Sequence, residues 1–137
     1  MTFGNLRKNL NQISEKGKFE LLRFCNKLNT TVIGGANKLF KYFILKNEYN
    51  SIISYCNMSK YTGSVYNKLG MKYISKSYPN YFYLDSNAKR RLYRWNFRKD
   101  ILVKEGFDKN KSEKQIMSER GYYRIYDCGN FKFEFTI

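Results

Sequence analysis

Apolar residues fall in short runs separated by polar turns, and the spacing within the runs switches between two periods. Phe19–Cys25 and Ser51–Cys56 read as short apolar strands. Between them, Gly34-Gly35-Ala36 opens a run in which Leu39, Phe40, Phe43 and Ile44 recur at helical spacing. After the second strand, Val65, Tyr66 and Leu69 share one face of a short helix that Gly70 stops. Strand, glycine turn, helix, strand, helix is a βαβα unit, which predicts two adjacent parallel strands joined by a right-handed crossover. Ahead of it, Met1–Gly4 reads as the end of a strand and Asn5–Lys18 as a solvated loop whose cations face water.

Beyond the unit, Met71–Ser75 and Tyr81–Leu84 flank Tyr78-Pro79-Asn80, which predicts a hairpin closing the sheet. Lys89–Lys99 interleaves cations with aromatics. As a strand, Tyr93, Trp95 and Phe97 face one way and Arg94, Asn96 and Arg98 the other; as a helix, Arg90, Arg94 and Arg98 stack at i, i+4. Either way the arginines form a stripe, with the three aromatics expected in the core. Gly106-Phe107-Asp108 is a turn. Ser112-Glu113-Lys114-Gln115 has the form of a capping box, predicting a helix from Glu113 to Arg120 that ends at Gly121. Tyr122–Tyr126 and Phe131–Phe135 then predict a hairpin around Asp127-Cys128-Gly129-Asn130, with Phe131, Phe133 and Phe135 on one buried face. The fold class expected is α/β (α+β): a small mixed sheet carrying the βαβα unit, with a basic helix-hairpin extension. Residues 1–84 form the core and 85–137 the extension, packed as a single compact unit.

Composition turns attention to charge. The chain has 26 basic and 11 acidic residues in 137, a net charge of +15, which favours a polyanionic partner. Eighteen Lys and fifteen Asn are what AT-rich coding alone produces, so Arg is the better witness. Four of the eight Arg fall within Arg90–Arg98. Arg grips phosphates in fork geometry, so Lys89, Arg90, Arg91, Arg94, Arg98 and Lys99 are the candidate nucleic-acid contacts.

The chain has no His, which excludes imidazole-dependent catalysis and His-containing zinc sites. Cys25, Cys56 and Cys128 are widely spaced with no CxxC pair; Cys25 and Cys56 are expected as small buried residues at strand ends. An odd cysteine count and the lack of a secretory leader point to the cytoplasm, and no run is long enough to span a membrane. Glu15, Glu20 and Glu48 are the only acids in the first 80 residues, too few for a metal-dependent nuclease centre. Glu20 and Asp127 alone merit inspection, and Asp127 is expected to bond its own turn.

Two resemblances follow from these strings. Val32-Ile33-Gly34-Gly35-Ala36, the following helix and strand, and Val65-Tyr66-Asn67-Lys68-Leu69-Gly70 resemble the latter half of the GNAT acyltransferase fold. In that family an R/Q-x-x-G-x-G/A turn holds the pyrophosphate of acyl-CoA, and a later tyrosine often serves as general acid. Gly34 and Ala36 fit the turn, with Gly35 between them, and Tyr66 and Gly70 fit the later run. Thr31 stands where Arg or Gln is expected, Ser59 and Thr62 replace Asn and Ala, and Met71 replaces Phe. The first strands of that fold have no counterpart, so the resemblance implies a truncated, repurposed sheet and no resident cofactor. A longer resemblance, through ELLRFCNKL, GGANKLFKYF, PNYFY, FRKDILVKEGFD and SERGYYRIYDCGN, is to the C-terminal, non-nuclease region of phage homing endonucleases of the Hef-like and Vsr-like kinds. It implies a non-catalytic phage-type protein that binds DNA, duplex above all. The alternatives are a small phage inhibitor of a host enzyme or defence protein, and a degenerate acetyltransferase or endonuclease fragment.

Overall fold

A computed structural model describes residues 1–7, 15–85, 87 and 90–137. Half of the expected loop over 5–18 (residues 8–14), and Lys89, lie outside the described residues. The elements are β1 (Thr2–Asn5), β2 (Lys18–Arg23), α1 (Gly35–Lys46), β3 (Ser51–Asn57), α2 (Ser64–Lys68), β4 (Lys72–Lys76), β5 (Tyr81–Leu84), β6 (Arg91–Tyr93), a 3-10 turn (Arg94–Phe97), α3 (Lys99–Lys104), α4 (Glu113–Glu119), β7 (Tyr123–Tyr126) and β8 (Asn130–Thr136). The protein is a mixed α+β structure with two sheets. The chain divides into two compact units, Met1–Tyr78 with Gly129–Ile137, and Pro79–Cys128.

The first unit carries a five-stranded sheet in the order β1-β2-β3-β8-β4. The expected parallel pair is present, β2 against β3 with Phe19 opposite Ile52, and α1 is the crossover between them. The other pairings are antiparallel. Hydrophobic period explains the core: Phe40 from α1, Leu21, Ile52 and Cys56 from the central strands, Leu69, Met71 and Phe133 are all buried together. Phe40 meets Phe135 edge-on at 5.2 Å, and Phe3 stacks on Phe43 at 3.7 Å. The alternating phenylalanines of β8 therefore face this core as expected, while Leu39 is 45% exposed.

The second unit lies between β4 and β8 in the chain. It holds a three-stranded antiparallel sheet, β6-β5-β7, with a core of Tyr83, Leu102, Ile116 and Met117. α4 begins at the predicted capping box: Ser112 Oγ accepts from Gln115 N, and Gln115 Oε1 accepts from Ser112 N at 2.8 Å.

Both predicted hairpins are absent. β4 pairs with β8 and β5 with β7, so neither β4–β5 nor β7–β8 forms a ladder. The turn residues around Pro79 and Gly129 mark the two crossings between units instead. The unit boundaries consequently differ from a division at residue 84, because β8 is an interior strand of the first sheet. Asp127 and Asn80 clasp the ends of the second unit: each backbone N–H donates to the other residue, at 2.8 Å, Asp127 N to the Asn80 carbonyl and Asn80 N to the Asp127 carboxylate. Asp127 thus reaches across to the residue that precedes β5. Cys56 is buried, but Cys25 is exposed because it lies past the end of β2.

Candidate functional site

The basic segment is neither one strand nor one helix. β6 ends at Tyr93, the 3-10 turn takes Arg94–Phe97, and α3 starts at Lys99, so the expected arginine stripe is broken into three pieces. Arg94 is committed inward: its Nη1 donates to Asn80 Oδ1 at 2.8 Å and its guanidinium lies 4.6 Å from the Tyr81 ring centroid. Arg98 makes a forked pair with Asp100, at 2.9 and 2.6 Å, which holds the Asp100 carboxyl below its ordinary range. Arg90, Arg91 and Lys99 are exposed and form no ion pair among the described residues. Of the three aromatics expected in the core, Phe97 packs on the second core, whereas Tyr93 and Trp95 are 52% and 41% exposed. Trp95 lies between two cations, with Arg94 and Arg98 each within 5.6 Å of its ring.

A second candidate surface lies in the first unit. The β2–β3 ladder stops after Glu20 opposite Ile53, and beyond it β2 stays with β1 and β3 with β8. Ser54 Oγ donates to the Leu21 carbonyl at 2.8 Å where the two strands part. Past that point a hollow of about 880 Å³ opens, lined by Leu21, Arg23, Tyr55, Lys60, Tyr66 and neighbouring residues, with no carboxylate among them. The carboxyl ends of parallel strands, where the chain runs outward on either side, are a general place for ligands. Tyr66 stacks on Phe133 at 5.0 Å, and burial pushes its phenol up, so it holds its proton through neutral pH.

The glycine turn lines an adjoining hollow of about 460 Å³ with Thr31, Ala36, Asn37 and Lys68. Gly34 adopts φ +71°, a left-handed conformation that favours glycine, and caps α1 without any side-chain hydrogen bond. Gly35 N donates to the Val32 carbonyl, and the first helical bond is from Lys38 N to the Gly34 carbonyl. The amides of Ala36 and Asn37 precede that bond, at the positive end of a 12-residue helix. The structure thus brings Gly34, Ala36 and Tyr66 to two hollows that share Phe24, Ser64, Val65 and Leu69, while Gly35 lines neither.

Two polar clusters escaped the sequence. Glu20 is buried on β2, and Arg7, expected to face water, makes a forked pair with it, Nε to Oε2 at 3.0 Å. Glu113 Oε1 accepts from Tyr81 Oη at 2.6 Å, Tyr83 Oη at 2.7 Å and Arg124 Nη2 at 3.1 Å. Only the buried strand position of Glu20 hinted at a cation partner. Nothing in the spacing of Glu113 and Arg124 marks them as partners across α4 and β7. Among the described residues, no three His, Cys, Asp or Glu gather into a metal-binding group, and no helix is long and apolar enough to cross a membrane.

No family model, curated protein or solved structure matches the chain.

Proposed function

We propose that the protein binds nucleic acid without cutting it, gripping duplex DNA phosphates through Arg90, Arg91 and Lys99, and that it is kin to the non-nuclease region of phage homing endonucleases. The observation that carries the reading is the state of these three cations. They are exposed within ten residues of one another and free of acid partners among the described residues, in a chain of net charge +15. Arg94 and Arg98, also candidates from the sequence, serve the unit's own structure and are secondary contacts. Exposed cations that neutralise phosphates release counterions and bind without regard to sequence. Replacing Arg90, Arg91 and Lys99 together by Ala is expected to weaken binding to all duplexes alike. The slope of log affinity against log salt should fall by roughly 0.9 for each phosphate that is no longer neutralised. Fluorescence anisotropy across a salt series measures both, and an unchanged affinity at moderate salt would remove this segment from the footprint.

The parting of β2 and β3 favours a second reading, a retained GNAT-like site for an acyl-CoA-type thioester. The antiparallel–parallel–antiparallel strand pattern around α1 supports it. So do the cation-rich lining and the amides of Ala36 and Asn37, which suit a pyrophosphate. Thr31 lacks the charged or amide side chain that the family's turn carries, which favours weak binding. Such a ligand would supply an activated acyl group; the chain itself would contribute amide donors at the turn and the protonated Tyr66 phenol. Calorimetry with acetyl-CoA is expected to show saturable binding that Gly34→Trp abolishes. The absence of heat at millimolar ligand would leave the groove architectural.

A further inference from the structure

We infer that the open face of the second sheet stacks the unpaired bases of a single-stranded nucleic acid. The inference rests on the nucleic-acid reading above and adds the form of the partner. Register decides which side chains share this face. On β5, Tyr81 and Tyr83 point toward the core under α3 and α4, so Phe82 and Leu84 point the other way. Cross-strand partners share a face. One row across the sheet is therefore Tyr93, Phe82 and Ile125, and the next is Arg91, Leu84 and Tyr123.

None of these six positions belongs to the second core or packs against it. Tyr93 and Tyr123 are 52% and 65% exposed, at diagonal corners of the face, and Phe82 is half-buried 6.2 Å from the Tyr93 ring. Three flat rings and one guanidinium make up most of the surface, and none of the six positions is acidic. That composition selects the occupant. Rings with polar rims, set on a rigid sheet, stack bases of any sequence, and a nearby cation holds the connecting phosphates. The unit supplies that charge, with 12 basic and 7 acidic residues over 79–128. A duplex keeps its bases stacked on one another and cannot offer them to this face.

The test uses the full chain and fluorescein-labelled oligothymidine, oligouridine and a mixed-sequence duplex. The double variant Tyr93→Ala/Tyr123→Ala is expected to bind both single strands at least tenfold more weakly, with duplex affinity and salt slope unchanged. Tyr93→Phe/Tyr123→Phe should bind as the parent does, because the ring and not the hydroxyl carries stacking. Single-strand affinity unaffected by the double Ala variant overturns the inference, and so does a light-scattering mass showing that the face is closed by a second copy. If those results come with salt-dependent duplex binding, the duplex reading still stands. If no nucleic acid binds at all, both readings fall.

Discussion

Gly129→Ala is expected to destabilise the first unit by about 2–5 kcal/mol. Gly129 stands at φ +78°, where a side chain costs roughly 1–2 kcal/mol in backbone strain. The added Cβ would also lie 2.4 Å from the Ser77 carbonyl oxygen. That atom is backbone and cannot rotate aside, so overpacking adds about 1–3 kcal/mol. Movement would break the local set of bonds: Ser77 N to the Asn130 carbonyl at 2.8 Å, Asn130 N to Ser77 Oγ at 2.9 Å, and Met58 N to the Gly129 carbonyl at 3.2 Å. Gly106→Ala is the control. Its φ is +95° but nothing stands within 4 Å, so only the strain remains. Urea midpoints compare the two, and a Gly129→Ala midpoint as high as that of Gly106→Ala would contradict the close approach to Ser77.

Glu113→Ala should cost the second unit about 2–4 kcal/mol. One carboxylate oxygen receives two phenols and a guanidinium, and its removal leaves Arg124 without its acid and Tyr81 without its acceptor. The figure lies below that for a fully buried pair because the Glu113 and Arg124 side chains are 21% and 19% exposed. Tyr83, 1% exposed, keeps one bond, from Arg124 Nε at 3.0 Å.

The same site sets an alkaline limit. Burial first, then the hydrogen bond to Glu113, raises the phenols of Tyr81 and Tyr83 above the ordinary value of 10.0. Above about pH 10 the unfolded chain has released these protons while the folded chain still holds them. Stability is therefore full below that pH and falls as pH rises toward the folded values. In Glu113→Ala the fall should be shallower, since burial alone remains to raise the phenols while Arg124 still lowers them. Equilibrium unfolding between pH 8 and pH 11.5 distinguishes the two slopes; parallel curves would remove Glu113 from the cause.

Local periodicity carried the first unit a long way. Phe40, Ile52 and Leu69 lie in the core that their spacing implied, and the parallel pair follows from the crossover rule. The capping box at Ser112 was legible because it joins residues three apart. Strand partners were not. Pro79 and Gly129 occupy turns that look locally like hairpin turns, and only the competition for burial sends β8 to lie between β3 and β4. The arginine stripe failed for a related reason: its spacing had meaning only on one regular element, and the chain changes conformation at Arg94 and again at Lys99. Arg7–Glu20 and Glu113–Arg124 are long-range polar pairs, and charge spacing along a chain cannot select among many possible partners.

The interior position of β8 has a further consequence, for the order of folding. β3 and β4 pair through β8, so the first sheet must wait for a strand that follows the entire second unit in the chain. Pro79–Cys128, by contrast, contains all of its own sheet partners and closes its ends with the Asn80–Asp127 clasp. Short-range contacts form sooner than long-range ones. The inserted unit therefore folds early and shortens the loop that β8 must close, so that damage within it slows completion of a sheet to which it contributes no strand.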